Sequence, residues 1–377
     1  MKSVFVLLLV LFLQPSIRNC VAAEAEFNSE EIVRGSWAHY KRTFIKNGRV
    51  IRPQNNNDTV SEGEAYAMLR AVLMDDKETF DACLLWTESM LSRKDLHGDT
   101  LLAWHFENGR ISDATAATDA DIDYAYSLVL AFRKWDDASY LNLAQKVLKS
   151  VLDKESTRVN SRLYLLPWPV DQASGLELVA QNPSYYAPSH FKLFYEVTGD
   201  KRWLELVDSG YDLIESLQNS FGEKHEGLVP DWCALDLKGN IVALPGKNSK
   251  FGWDAVRVPF RIAADYYLND DRRALNVLMR FSGFFEREFN QRGKILCGYS
   301  LDDSSETPLE TPLFYSAAYA AMKPADSVAA PLILLHLRDF LHNNGDEFYY
   351  NEPDDYYVNS LAWFPEFYYV TKTGNTP

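Results

Sequence analysis

Cysteine is scarce in this 377-residue sequence, with four copies at Cys20, Cys83, Cys233 and Cys297. Their wide spacing supports neither a disulfide framework nor a structural zinc site, both of which need clustered thiols. Cys83, Cys233 and Cys297 are therefore expected as buried thiols, joined by one bridge at most. The seven histidines are scattered, and no His-Glu-x-x-His, Gly-rich phosphate loop or Gly-x-Ser-x-Gly elbow occurs. Zinc peptidase, nucleotide-dependent and serine-hydrolase chemistry thus lack their usual carriers, and no cofactor or metal is expected. Positive charge is short as well: 38 Lys and Arg stand against 53 Asp and Glu, for a net charge of -15. Such a surface repels phosphate backbones and anionic bilayers, so nucleic acid is not an expected partner. It also disfavours a polyanionic substrate and leaves neutral or cationic glycans.

Low-complexity tracts and linkers are missing too, which predicts one domain over residues 24–377, expected as a monomer. The long apolar run sits at the start. Lys2 supplies positive charge, Val4 to Leu13 are unbroken apolar residues, and Val21-Ala22-Ala23 offer a small-residue cleavage site before Glu24. Residues 1–23 are expected as a signal peptide, and the mature chain as secreted or periplasmic. The run is shorter than the ~20 residues of a membrane span, so no integral span is expected after cleavage. Ile17-Arg18-Asn19 is a poor lead-in to a lipidated Cys20. Asn57-Asp58-Thr59 is a glycosylation sequon that matters only in a eukaryotic host.

What the chain does have is aromatic residues, 14% in all, with 9 Trp, 21 Tyr and 21 Phe. They suit a large core, and equally a cleft whose rings stack on sugar faces. Apolar residues recur at helical spacing almost throughout. The spacing predicts helices over 30–46, 62–75, 77–93, 119–135, 138–154, 185–198, 201–219, 253–268, 270–289, 311–322, 327–342 and 354–371. Segments 225–231 and 240–244 read as a small β-hairpin on one rim. Twelve helices paired in hairpins suggest an all-α (α/α)6 toroid, with six doubly buried inner helices and six outer ones. Function would then lie at the mouth where the inner helices begin.

Three constellations start at such helix N-termini. In Ser61-Glu62-Gly63-Glu64-Ala65-Tyr66, Ser61 reads as an N-cap and Glu64 completes a capping box. Glu62 could merely suit the helix dipole, or project into a cleft as a general acid with Tyr66 one turn on. In Thr118-Asp119-Ala120-Asp121-Ile122-Asp123, alternate carboxylates open an otherwise apolar helix, where burial demands partners or a task. An EF-hand is excluded, because Tyr124 and Leu130 occupy the positions of its Gly and Glu. In Gly252-Trp253-Asp254-Ala255-Val256-Arg257, Asp254 and Arg257 can pair at i, i+3, and Pro259 places Asp254 just outside the helix. Trp104, Tyr185, Tyr186, Trp232, Tyr356 and Tyr357 are candidate sugar platforms, each of which could equally be core.

These three segments, in this order, resemble glycoside hydrolase family 8, and especially the endoglucanases found with bacterial cellulose synthesis. The resemblance covers roughly residues 36 to 370 and implies the toroid, an inverting mechanism and an endo-acting cut in a β-1,4-linked polysaccharide. It places Glu62 as proton donor, Asp254 as the base that activates water, and Asp119 as a group gripping the central sugar. It also implies Trp104 and Tyr185 as substrate-binding residues and Arg257 as the group that holds Asp254, and Arg257, Tyr66, Asp121 and Tyr357 are further substrate-binding candidates. Tyr124 and Ala67 depart from the family pattern and are expected to alter packing behind the carboxylates. Xylan, mixed-linkage glucan and chitosan remain open as substrates. A lyase is disfavoured by the acidic balance, and a non-catalytic glycan-binding protein by the retention of all three motif acids.

Overall fold

Helix boundaries here follow from side-chain caps and left-handed stops. The computed structural model describes residues 27–169, 177–301 and 307–367, so the expected leader over 1–23 lies outside the described residues. Asn28 and Glu31 form a reciprocal capping box that opens α1 (Ser29–Phe44). The inner helix α2 (Ser61–Leu73) is followed by α3 (Lys77–Met90), capped by Asp76, whose carboxylate also takes Lys41 and the Trp37 indole from α1. α4 (Thr118–Trp135) stops at Asp136 in the left-handed region, and Asp137 caps α5 (Ala138–Lys154). α6 (Pro188–Thr198) and α7 (Arg202–Gln218) follow. α8 (Val258–Asn269) ends at left-handed Asp270, and Asp271 caps α9 (Arg272–Arg292), so two consecutive residues stop one helix and start the next. α10 (Pro312–Met322), α11 (Ala330–Arg338) and α12 (Tyr356–Leu361) follow, and two four-residue helices, Lys94–His97 and Gly222–His225, lie in the connections.

Burial sorts these helices into two layers. Every residue of α10 is buried, and α2 and α4 are buried on nearly all sides, whereas α5, α7 and α9 bury one face. The even-numbered helices contact one another in sequence, α2 with α4, α4 with α6, α6 with α8 and α8 with α10. α12 touches both α10 and α2, which closes the ring. The fold is the expected (α/α)6 toroid. Because inner and outer helices alternate along the chain, all six inner helices start at the same mouth.

Most helical spans agree with the periodicity, but the expected helix over 327–342 ends at Arg338 before the strand Leu341–Asn344, and that over 354–371 breaks after Tyr356–Leu361, with 368–371 outside the described residues. Expected helices over 185–198 and 253–268 begin instead as single 3₁₀ turns, Pro183–Tyr185 and Ala255–Arg257, with α6 starting at Pro188 and α8 at Val258, one residue before Pro259. The expected hairpin is corrected: residues 225–231 are not a strand. Cys233–Asp236 pairs with Ile241–Val242 on one side and Leu178–Gln181 on the other, a three-stranded sheet. A second small sheet joins Thr59–Val60, His105–Glu107 and Arg110–Asp113 at the mouth. Cys83, Cys233 and Cys297 are separate buried thiols. Among the described residues, no helix is long and apolar enough to cross a membrane.

Candidate active site

Inner-helix N-termini deliver most of the site. Glu62 lies in the first turn of α2, Asp119 in that of α4, and Tyr357 in that of α12, while the 3₁₀ turns before α6 and α8 bring Tyr185 and Arg257. Glu62, Asp119, Asp254, Tyr66, Tyr185 and Arg257 all border one cavity of about 290 Å³. A larger cavity of about 410 Å³ lies on the far side of Tyr66 and Arg257. It is lined mainly by apolar side chains, and Asp123, its one carboxylate among the described residues, is held by Arg261. The smaller cavity is therefore the chemical one.

Ser61 does not cap α2. Val60 is the boundary residue, and Ser61 N–H instead donates to the Trp104 carbonyl at 2.9 Å. This bond extends the small sheet at the mouth and sets Trp104 beside the acid. The Trp104 indole N–H donates to Glu62 Oε1 at 3.2 Å, while the ring remains 37% exposed. Glu64 turns away from any capping role: it is fully buried and accepts from Val50 N–H at 2.7 Å. Burial, and then the negative charge of Asp119, push the Glu62 carboxyl up to about 7.

Arg257 is the hub of the opposite wall. It donates to Asp119 Oδ2 at 2.5 Å, to Asp254 Oδ1 at 2.8 Å, to Ser184 Oγ at 2.8 Å and to the Tyr66 hydroxyl at 3.3 Å. Asp119 is almost wholly buried, which raises its carboxyl above the usual range against the pull of Arg257. Asp254 is more open, and its second oxygen accepts from the Trp232 indole at 2.9 Å. Tyr185 lies under the Arg257 guanidinium at 5.5 Å, and the Tyr357 hydroxyl donates to the Trp253 carbonyl at 2.7 Å.

Asp121 does not reach the cavity. Two residues along a helix turn a side chain by about 200°, and the Asp121 carboxylate is completely buried, accepting from Leu102 N–H at 2.8 Å. It secures the loop that carries Trp104. Tyr124 is also buried behind the site and donates to Glu88 at 2.6 Å, while Ala67 is core.

Sequence reasoning missed Asp231. Its Oδ1 accepts from the backbone N–H groups of Gly252, Asp254 and Ala255 at 3.0, 3.0 and 2.8 Å. A Cβ on Gly252 would sit 2.4 Å from Asp231 Oδ2, so glycine is what lets this carboxylate close on the turn. The available signal was Pro230-Asp231-Trp232, in which only the tryptophan attracts notice. A second buried pair, Asp123 with Arg261 and His190, lies one helical turn below Asp119 and Arg257 and braces α4 against α8.

A half-buried acid that holds its proton near neutrality and a more open carboxylate anchored by two N–H donors share one small cavity, the components of acid–base hydrolysis. Outward-facing Trp104 and Trp253, and the Trp168–Trp232 pair with centroids 6.2 Å apart, offer ring faces around it. The family model for glycosyl hydrolases family 8 matches residues 14–308. "Endoglucanase 2" of Ruminiclostridium josui is 31% identical over 320 residues, 82% of this chain and 66% of that protein, so the chain spans just under two thirds of this relative's length. A solved β-1,3-1,4-glucanase from a Paenibacillus species superposes with a TM-score of 0.76 at 25% identity, covering 93% of this chain and 94% of that one. An endo-β-1,4-glucanase structure from Acetobacter xylinum matches in fold, with a TM-score of 0.71 at 23% identity over 92% of this chain and 99% of that one. With this toroid, these carboxyls at its mouth and a family match over most of its length, the chain belongs to glycosyl hydrolases family 8.

Proposed function

We propose that this chain is an exported, inverting endo-β-1,4-glucanase that acts as a monomer. The observation that carries this reading is the pairing, in one cavity, of Glu62, raised to about 7, with Asp254, which is bound by Trp232 and Arg257. Glu62 protonates the glycosidic oxygen as the bond to the anomeric carbon breaks. Asp254 takes a proton from a water that attacks that carbon from the opposite face, so the configuration inverts. Asp119, fixed by Arg257, grips and distorts the central sugar without forming a bond to it. Tyr66, Tyr185, Tyr357 and Trp104 supply stacking and hydrogen bonds whose binding energy supports that distortion. The names of the relatives, endoglucanase and β-1,3-1,4-glucanase, support a β-glucan as substrate, and the chain's net charge of -15 disfavours a polyanionic one. Export rests on the apolar run after Lys2.

The test uses protein recovered from the exported fraction of an expression host, where a mature N-terminus near Glu24 checks the leader. This protein is given cellulose-type glucan, mixed-linkage glucan, xylan and chitosan, and the first product is read by NMR before mutarotation. The expected result is internal cutting of β-1,4-glucan with release of the α-anomer. Initial β-anomer would mean retention and remove Asp254 as water activator. Binding without cleavage would favour a glycan-binding protein.

A further inference from the structure

Arg52 borders the active-site cavity, and neither the acid–base pair nor the Arg257 hub uses it. It lies on the loop that leads into α2, ahead of the 3₁₀ turn Pro53–Asn55. Its guanidinium is gripped on one edge only. Nε and Nη2 donate to the two oxygens of Asp58 at 2.7 and 2.5 Å. Asp58 is itself held from behind, since His105 Nε2 bonds its Oδ2 at 2.7 Å and His105 Nδ1 bonds Ser112 Oγ at 2.5 Å. The third nitrogen, Nη1, has no protein partner among the described residues, and the side chain keeps 22% exposure. The charge of Glu62 is felt at Arg52, as is the ring hydroxyl of Tyr356. That hydroxyl is a second, independent sign of an unfilled polar position. It is buried beside Gly63, one residue from Glu62, on the cavity wall, and it has no hydrogen-bond partner among the described residues.

We propose that Arg52 is a substrate-contacting residue, whose Nη1 donates to a hydroxyl oxygen of a sugar bound beside Glu62. The inference rests on the glucanase reading above and adds a specificity contact to it. Asp58 and His105 serve as positioning residues: they neutralise the guanidinium and fix its plane so that a fork of known direction faces the cleft. A neutralised guanidinium favours an uncharged hydroxyl over a carboxylate-bearing sugar. The competing explanation is that the Arg52–Asp58 pair only clips the loop between them, which turns at Asn56 and Asn57 with positive φ.

Arg52→Lys separates the two, because an ammonium can keep the ion pair with Asp58 but offers no second arm. Binding of cellopentaose is measured by calorimetry in a Glu62→Gln background, with steady-state kinetics on the same sugar in the active enzyme. The expected result is a melting temperature like that of the parent, with affinity about tenfold weaker and KM raised to match, the scale of one lost charged hydrogen bond. Arg52→Gln should weaken affinity similarly and also lower the melting temperature. Parental affinity and KM in Arg52→Lys, with only Arg52→Gln losing stability, would reduce the pair to a loop clip. A wild type inert toward every β-glycan would overturn the glucanase reading and this contact with it, an outcome separate from an active wild type indifferent to Arg52.

Discussion

At the scale of single residues, the proposed acid and base can be told apart by experiment. Glu62→Gln keeps the acceptor for the Trp104 indole but cannot donate a strongly acidic proton. Asp254→Asn keeps one acceptor for Trp232 or Arg257 but cannot deprotonate water. Each variant should fold and lose at least about 10²-fold in turnover, the lower end of what general acid–base help contributes. An aryl glycoside with a good leaving group should partly rescue Glu62→Gln and leave Asp254→Asn inactive. Because the acid must hold its proton, wild-type kcat/KM should fall as pH rises through about 7, and Glu62→Gln should lose that limb. A wild-type profile flat from pH 6 to 8 would count against this assignment. Glu62, Asp119 and Asp254, which share one cavity, drew notice because carboxylates at the starts of helical segments stand out in sequence, while the roles proposed for them came from the family resemblance. Asp231 was not, because its role is to bind three backbone N–H groups some twenty residues away, a relation no local pattern encodes. Asp121 was misplaced because a helix turns neighbouring acids to different faces, and resemblance does not say which face meets the cavity.

At the scale of elements, periodicity made the helices readable while their ends were settled by prolines and caps. The small sheets stayed hidden for a physical reason. Each strand has two to four residues, too short for an alternating pattern to show; some close local hairpins, such as Ser156–Val159 with Arg162–Leu165, and others join distant loops, as Val60 pairs with His105 across 45 positions of sequence. Glu64 shows what such junctions demand. Its carboxyl joins α2 to the strand Arg49–Val50 inside the core, and burial pushes it up to about 8 from an ordinary 4.5. The folded chain therefore holds a proton that the unfolded chain releases. The associated stability is fully present below about 4.5 and is lost progressively as pH rises through about 8. The loss is of the order of 3–5 kcal/mol for a group so deeply buried. Glu64→Gln retains a carbonyl for Val50 N–H and cannot ionise. Its urea midpoint should change less between pH 5 and pH 8 than that of the wild type. An identical pH dependence in the two proteins would show that Glu64 does not carry this term.

At the scale of the whole molecule, the ring has a last piece. α12 is the helix that meets both α10 and α2, and its neighbourhood ties distant chain together. Arg70 donates to the Asn359 carbonyl at 3.3 Å and stacks over Trp363 at 4.3 Å, and Tyr357 reaches the Trp253 carbonyl. A chain shortened to end after Tyr350 should therefore lose far more than one short helix. Circular dichroism should show helicity falling well beyond those residues, and activity should be absent; a well-folded, active fragment would contradict closure as the organising contact. Such closure also orders events during synthesis. A ribosome that has delivered Glu62, Asp119 and Asp254 has delivered every acid of the proposed mechanism, yet Tyr356 and Tyr357, which complete the wall of their cavity, are still unmade. Hydrolysis by the proposed mechanism would then wait for α12, so a chain interrupted before that helix is expected to be silent rather than partly active.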